Sequence, residues 1–232
     1  MTDTARLDRF LALVVDLDSD HEELAAATAE LSGAGDVALV PPLEAALDRA
    51  LDEGAFHARD LIGEVLAGIR GPAALPVLLR ASARDLGDDQ DSFSTLLVEL
   101  ARADPAAARE TVRPLLAEPD AALRATGVWL LGFAAREQEF PLLAGAAADP
   151  VERLRRVAAG ALGPLTAGVP EAVEVLVGLL DDPAPRVRIA ALSTLGYARQ
   201  ARVLPAVRRL AADQDENVRS WAAVAAGRIT GG

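Results

Sequence analysis

The sequence predicts an all-α protein, an α/α superhelical solenoid of about six to seven helical hairpins that fills residues 1–232 as a single domain. Three observations point there. A gapless frame recurs at near-regular intervals, its arginine falling at Arg124, Arg155, Arg188 and Arg219, and a period of this size marks a repeat architecture. The apolar positions inside the frame follow the period of a helix. The composition is 51% hydrophobic with only 3% aromatics, and its chief apolar residues include Ala and Leu, which head the helix-propensity ranking.

The frame is clearest at Asp182-Pro-Ala-Pro-Arg-Val-Arg-Ile-Ala-Ala-Leu-Ser-Thr-Leu-Gly196, and Asp149 to Gly163 matches it one period upstream without a gap. Leu123-Arg124 leading to Gly132, and Val218-Arg219 leading to Gly227, repeat it on either side. In the best copy Val187, Ala190, Ala191, Thr194 and Leu195 form the i, i+3, i+4, i+7, i+8 stripe of a half-buried helix. Asp and Pro before the stripe are start signals, and the closing Gly is a stop signal. Toward the N-terminus, Arg59 to Ala67 keeps the Arg and the spacing, Phe93 to Ala101 keeps the spacing, and His21 to Gly33 is a poorly matched further copy. Second apolar segments lie between frames, at Pro72–Ala83, Arg109–Ala117, Pro170–Leu180 and Arg202–Ala212, several with Pro near the start where a helix tolerates it. Each period is therefore a hairpin of two helices, and stacked hairpins bury a continuous core. Residues 118–230 hold the clear repeats and residues 1–117 the degenerate ones.

The motif Asp-Pro-x-x-x-[Val/Leu]-Arg-x-x-Ala-Ala-x-x-Leu-Gly, as it stands at Asp149–Gly163 and Asp182–Gly196, resembles the HEAT-repeat family, in particular the HEAT-like repeats of the phycobilisome-lyase type. The resemblance implies a role for the recurring arginines Arg124, Arg155, Arg188 and Arg219. In such repeats this Arg pairs with the Asp of the inter-helix turn, here Asp149, Asp182 and Asp213, with Asp120 close to that register. A planar guanidinium bridging turns makes a structural ladder rather than a binding row. The resemblance also places the Val-Arg helix on the concave face. The positions seven and three places before the closing Gly then point into a groove: Asp60 and Glu64, Ser94 and Val98, Ala125 and Trp129, Arg156 and Gly160, Ile189 and Ser193, Ser220 and Val224. The groove is acidic at one end and apolar in the middle. Trp129 is its largest side chain and its best anchor candidate. Trp221 matches Ala190, a core position, and is expected to plug the end of the solenoid.

Charge and composition narrow the partners. Net charge is −12, and all 23 basic residues are arginine. A field of that sign repels phosphate and attracts a basic protein surface, so neither nucleic acid nor a membrane is expected. There is no cysteine, hence no disulfide and no thiolate ligand. The apolar run Phe10–Val15 lacks the basic leader and length of a signal peptide, and no apolar stretch reaches the roughly 18 residues of a membrane span. A cytoplasmic protein is expected. His21 and His57 sit in different repeats, so no metal site is expected. Asp16–Glu23 begins like a calcium loop but has His21 where that loop needs Gly and Ala27 where it needs Glu. Asp85–Asp91 reads as a polar connection. Gly33-Ala-Gly35 lacks the strand of a dinucleotide fingerprint, and Ser82 and Ser193 lack a base.

The expected function is a non-catalytic scaffold or adaptor that holds a protein or peptide, with an immunity or antitoxin-type inhibitor of a basic protein as one form. No cofactor is expected on this reading. The family resemblance implies an alternative, a bilin lyase or chaperone-like protein, for which Arg156 is the only evident groove cation.

Overall fold

A computed structural model describes residues 3–16, 18–84 and 93–231. Asp85–Asp91, read above as a polar connection, lies outside the described residues. The described residues are helical with no strand. They form two compact units, residues 1–111 and 112–232.

In unit 1, α1 (Asp3–Val15) and α2 (His21–Ala34) make the first hairpin, α3 (Val40–Glu53) and α4 (Phe56–Arg70) the second, and α5 (Leu75–Ser82) and α6 (Ser94–Ala103) the third. The apolar run at Phe10 lies in α1, where Phe10 and Val14 are buried. Asp20 starts α2 by accepting the Glu22 and Glu23 N–H groups, which satisfies two donors that a helix start leaves free. Leu43, Leu47, Ile62, Leu66, Leu75, Leu78 and Leu97 are fully buried between these helices. The stretch Phe56–Ser82 is apolar and long enough to cross a membrane by composition alone. It is not one helix, because α4 ends at Gly71, whose φ of 55° and ψ of −138° turn the chain into a short 3-10 segment before α5.

α7 (Pro105–Leu115) carries the division between the units. Unit 2 continues with α8 (Ala121–Leu131), α9 (Phe140–Ala147), α10 (Glu152–Ala161), α11 (Pro170–Gly178), α12 (Pro185–Ala198), α13 (Leu204–Arg209) and α14 (Glu216–Thr230). The even-numbered helices are the Val-Arg helices of the frame. They pack directly on one another, α8 on α10, α10 on α12 and α12 on α14, while α9 and α11 meet far less extensively. Pro141, Pro170, Pro185 and Pro205 sit in the first helical positions, where a missing N–H costs nothing.

Two local expectations are corrected. The closing Gly is a stop in only two copies: α8 ends just before Gly132 and α10 just before Leu162 and Gly163, whereas Gly196 lies inside α12 and Gly227 inside α14. At Gly132 and Gly196 it permits close approach. A Cβ on Gly132 would stand 3.0 Å from Ala161 Cα, and one on Gly196 3.0 Å from Ala225 Cα. A Cβ on Gly163 would make only ordinary contact, 3.4 Å from Thr194 Cγ2, and one on Gly227 would meet nothing within 4 Å. The second correction concerns Asp149 and Asp182, which do not cap the following helix. Each accepts the N–H two residues on, at Val151 (2.8 Å) and Ala184 (2.9 Å), an Asx-type turn that leaves the other oxygen facing the preceding repeat.

α12 ends on Arg199 with φ 51° and ψ 30°, a left-handed conformation that costs a side chain about 1–2 kcal/mol. Arg199→Gly is expected to raise stability by about 1 kcal/mol, read as an upward shift of the thermal midpoint. An unchanged or lower midpoint would show that the Arg199 side chain stabilises the turn by other means.

Candidate functional site

The recurring arginines are built into the turns. Arg155 donates Nε and Nη2 to the two Asp182 oxygens at 2.6 and 3.0 Å, and Nη1 to the Asp149 and Pro150 carbonyls at 3.0 Å each. Arg188 keeps the carbonyl bonds, to Asp182 and Pro183, but meets Asp213 through Nη2 alone, at 2.8 Å. Arg124 lies 3.5 Å from Asp149 and donates to the Glu118 and Pro119 carbonyls. Arg124, Arg155 and Arg188 thus each tie their own turn to the turn of the next repeat. Arg219, in the last repeat, makes the two carbonyl bonds of its own turn, to Asp213 and Gln214.

This network has an electrostatic signature. Burial by itself raises the Asp182 carboxyl, but the hydrogen bonds from Arg155 and the Ala184 N–H, with the Arg155 and Arg188 charges, hold it below the usual carboxylate range. Asp213 is lowered in the same way, burial being outweighed by the bonds from Arg188 and the Asp215 N–H. The hydrogen bond to Asp182 in turn raises Arg155. A carboxyl that binds its proton less tightly when folded stabilises the fold above its unfolded pKa of about 4. That stabilisation is lost as pH falls through the folded-state values. Unit 2 is therefore expected to lose stability below about pH 4, and Asp182→Asn to flatten that acid limb in denaturant titrations at several pH values.

In unit 1, Arg59 takes a different course. It is fully buried, lies 4.9 Å from the Phe56 ring and 5.5 Å from the Phe93 ring, and donates to Asp60 at 2.9 Å. Gly63 makes room for this arrangement, since a Cβ there would collide with the Phe93 ring. Asp60 and Glu64, two predicted groove residues, line a cavity of about 390 Å³ with Phe93, Thr95, Leu96 and Glu99. Val98 is half-buried and outside that lining. His21 and His57 are both exposed.

In unit 2, Trp129 and Arg156 come together. They line a cavity of about 500 Å³ with Gly132, Phe133, Val157, Gly160, Ala161, Pro164 and Ala190. Trp129 meets Phe133 edge-on at 5.2 Å between ring centroids, the spacing of an aromatic pair one turn apart. Phe133 is 42% exposed, a large apolar side chain left at the surface. Ala125, predicted for the groove, is buried instead. Ile189 and Ser193 are half-buried and lie outside the lining. Ala190 and Thr194, expected in the core, are half-buried, Ala190 lining the cavity, so the core stripe of α12 is shifted and runs through Val187, Ala191, Leu192, Leu195 and Gly196. Trp221, at the matching position of α14, is likewise half-buried rather than core. Phe133 and Pro164 were missed because they follow the closing Gly, where the helix was expected to have ended. The signal available was the i, i+4 relation of Phe133 to Trp129.

A layer of closely packed Val-Arg helices, cross-tied by turn arginines, defines a helical-repeat solenoid. Residues 141–227 match the family model of HEAT repeats, and that stretch of the chain carries HEAT repeats. Among solved structures the chain is similar to YibA of Escherichia coli, at 18% identity and a TM-score of 0.52, over 96% of this chain and 81% of that one. It is also similar to a designed armadillo repeat protein in complex with the peptide (KR)4, at 19% identity and 0.43, over 95% and 99%. Human deoxyhypusine hydroxylase in complex with glycerol is similar at 18% identity and 0.46, over 99% and 98%. No protein of curated function matches the sequence.

Proposed function

We propose that the chain is a non-catalytic interaction module that holds a partner protein or peptide on the exposed face of its Val-Arg helices. The observation that carries this reading is the cavity around Trp129 and Phe133, an apolar recess of about 500 Å³ beside one arginine. Buried aromatic anchors in such recesses dominate binding energy at protein interfaces. The repeated polar residues are committed to the turns, which leaves the non-repeating ones to recognise a partner.

Unit 1 supplies the reason to expect a basic surface on that partner. It carries nine Arg against 22 Asp and Glu, a net charge of −13, whereas unit 2 carries fourteen Arg against 13, a net charge of +1. The acidity of the chain is thus a property of unit 1, where Asp60, Glu64 and Glu99 surround one cavity. Such a field speeds encounter with a cationic surface and weakens with salt. Inhibition of a basic toxin fits this chemistry. The experiment is affinity capture from the native host with the unaltered chain, with Asp60→Arg plus Glu64→Arg, and with Trp129→Ala plus Arg156→Glu. A basic protein lost with Asp60→Arg plus Glu64→Arg and released by salt supports the reading for unit 1, and a protein lost with Trp129→Ala plus Arg156→Glu supports it for the recess of unit 2. Identical capture by all three chains removes its basis.

The lyase-type resemblance favours a second ligand for the same recess, a linear tetrapyrrole, since about 500 Å³ lies within the range of small-molecule sites. Titration with biliverdin decides it. An induced absorbance shift that Arg156→Glu abolishes would replace the protein-partner reading for unit 2.

A further inference from the structure

Unit 2 differs from unit 1 in more than its total charge. Counting from the closing Gly of each Val-Arg helix, the places ten, seven, six and three before it and one after share one helical side by the helical period. In α8 they are Ala122, Ala125, Thr126, Trp129 and Phe133, of which Ala125 and Thr126 are buried beneath the surface. In α10 they are Arg153, Arg156, Val157, Gly160 and Pro164, and in α12 Arg186, Ile189, Ala190, Ser193 and Tyr197. α14 contributes Asn217, Ser220, Trp221, Val224 and Arg228. No carboxylate occupies any of these places. In unit 1 the same register of α4 holds Asp60 and Glu64.

The arginines on this face are available. Arg153, Arg156 and Arg186 are exposed, and among the described residues none of the three forms an ion pair. Arg155 and Arg188, close by in sequence, are by contrast held in the ladder. Glu152, one residue before Arg153, forms no ion pair among the described residues either and falls at the edge of the face. Arg228 stacks on the Tyr197 ring at 4.1 Å. That ring is 69% exposed and Phe133 is 42% exposed. Beside the free arginines lies the recess of Trp129, Phe133, Val157 and Ala190. The face therefore combines unpaired cations with an apolar cavity, and its carboxylates, Glu152 and Glu216, stand only at its edge.

We propose that this face of unit 2 binds an acidic peptide segment that carries a large apolar side chain. The side chain enters the recess between Trp129 and Pro164, and the flanking carboxylates meet Arg156, Arg153 and Arg186. The partner chemistry follows from charge complementarity, because guanidinium groups bind carboxylates in planar, two-pronged fashion and like charge is absent from the face. A basic segment would face three uncompensated cations here, so the basic surface proposed for unit 1 is not the occupant of unit 2. The inference rests on the reading of the chain as an interaction module, but not on the identity of what unit 1 attracts.

The test uses the full chain and fluorescein-labelled peptides read by anisotropy. One peptide is built of glutamate and aspartate around a phenylalanine and a leucine. A second has alanine at both anchors, and a third has arginine at the acidic places. The first is expected to bind at least about tenfold more tightly than the second, with the third showing no saturable binding that depends on Arg156. Arg156→Glu and Arg153→Glu plus Arg186→Glu, all on exposed side chains, are each expected to weaken the first peptide at least about tenfold while leaving the thermal midpoint unchanged. Trp129→Ala should remove the difference between the first and second peptides. The proposal is overturned if the acidic peptides bind no better than the arginine peptide, or if the charge reversals leave their affinity unchanged. It is also overturned if a single-stranded oligonucleotide binds more tightly than the first peptide with the same Arg156 dependence. Self-association in sedimentation that these substitutions abolish would assign the face to a second copy of the chain and likewise overturn it. Failure of the peptides alongside intact capture of a basic partner through Asp60 and Glu64 would remove this inference and leave the proposed function standing.

Discussion

Alanine in place of Arg155 is expected to destabilise the fold by about 3–5 kcal/mol, the cost of breaking one side of a buried ion pair. The side chains of Arg155 and Asp182 are only 15% and 5% exposed. The change strands the Asp182 carboxylate and frees the Asp149 and Pro150 carbonyls that Arg155 joins. Two further results discriminate this cause from lost packing. Arg155→Ala with Asp182→Ala should recover a large part of the loss, because the stranded charge is gone. In the single variant Asp182 becomes easier to protonate, so the deficit should shrink toward acid pH. Urea unfolding of the four chains of this cycle supplies the numbers. A single-variant loss below about 1 kcal/mol, the level of an exposed pair, would show that the turn arginines do not hold the repeats together. By contrast, the exposed pairs Arg202–Glu174 and Arg209–Asp181 are expected to contribute about 1 kcal/mol or less each.

Valine at Gly196 is the second large effect. The Cβ alone would lie 3.0 Å from Ala225 Cα and 3.2 Å from Ala225 Cβ, and backbone cannot swing aside as a flexible side chain can. α12 and α14 must separate, at a cost of about 1–3 kcal/mol for overpacking, or roughly 2–4 °C in thermal midpoint per kcal/mol for a chain of this size. Gly145→Ala is the matched control. Gly145 lies within α9 and a Cβ there meets nothing within 4 Å, so alanine should stabilise by about 0.5–1 kcal/mol through helix propensity. If both substitutions stabilise, the closing Gly serves no packing purpose and its recurrence needs another cause.

Much of the fold was legible because it repeats. Frames that recur in step at Arg124, Arg155, Arg188 and Arg219 state the hairpin several times over, so chance matches cannot imitate it. The aspartate of the turn recurs in the same register. The degenerate frames at Arg59 and Phe93 were also placed correctly as helices α4 and α6, since an apolar stripe survives the loss of individual motif residues. Where a residue's meaning depended on its neighbour across the stack, the sequence was a poorer guide. The closing Gly looked like a helix stop because Gly is weak in isolated helices. Its true constraint is an alanine in the next repeat, Ala161 for Gly132 and Ala225 for Gly196.

The candidate site divides in the same way. Trp129 and Arg156 follow from helical phase on the helix that the repeat resemblance places on the concave face, and they do share one cavity. Val98, Ile189 and Ser193 had the same phase but line neither cavity described. Phase predicts which way a side chain points and says nothing about where neighbouring helices leave a recess. Phe133, Pro164 and Ala190 complete the lining together with Gly132 and Ala161, where α8 and α10 approach closely. The sequence by itself determined the helical period and the hairpin repeat, which are local or strictly periodic, while the turn ladder followed from the family resemblance. Only the tertiary structure decided that Gly132 and Gly196 are contact points and that unpaired arginines stand beside an aromatic recess. Those properties depend on distances between residues in neighbouring repeats, far apart along the chain, which a one-dimensional pattern does not carry.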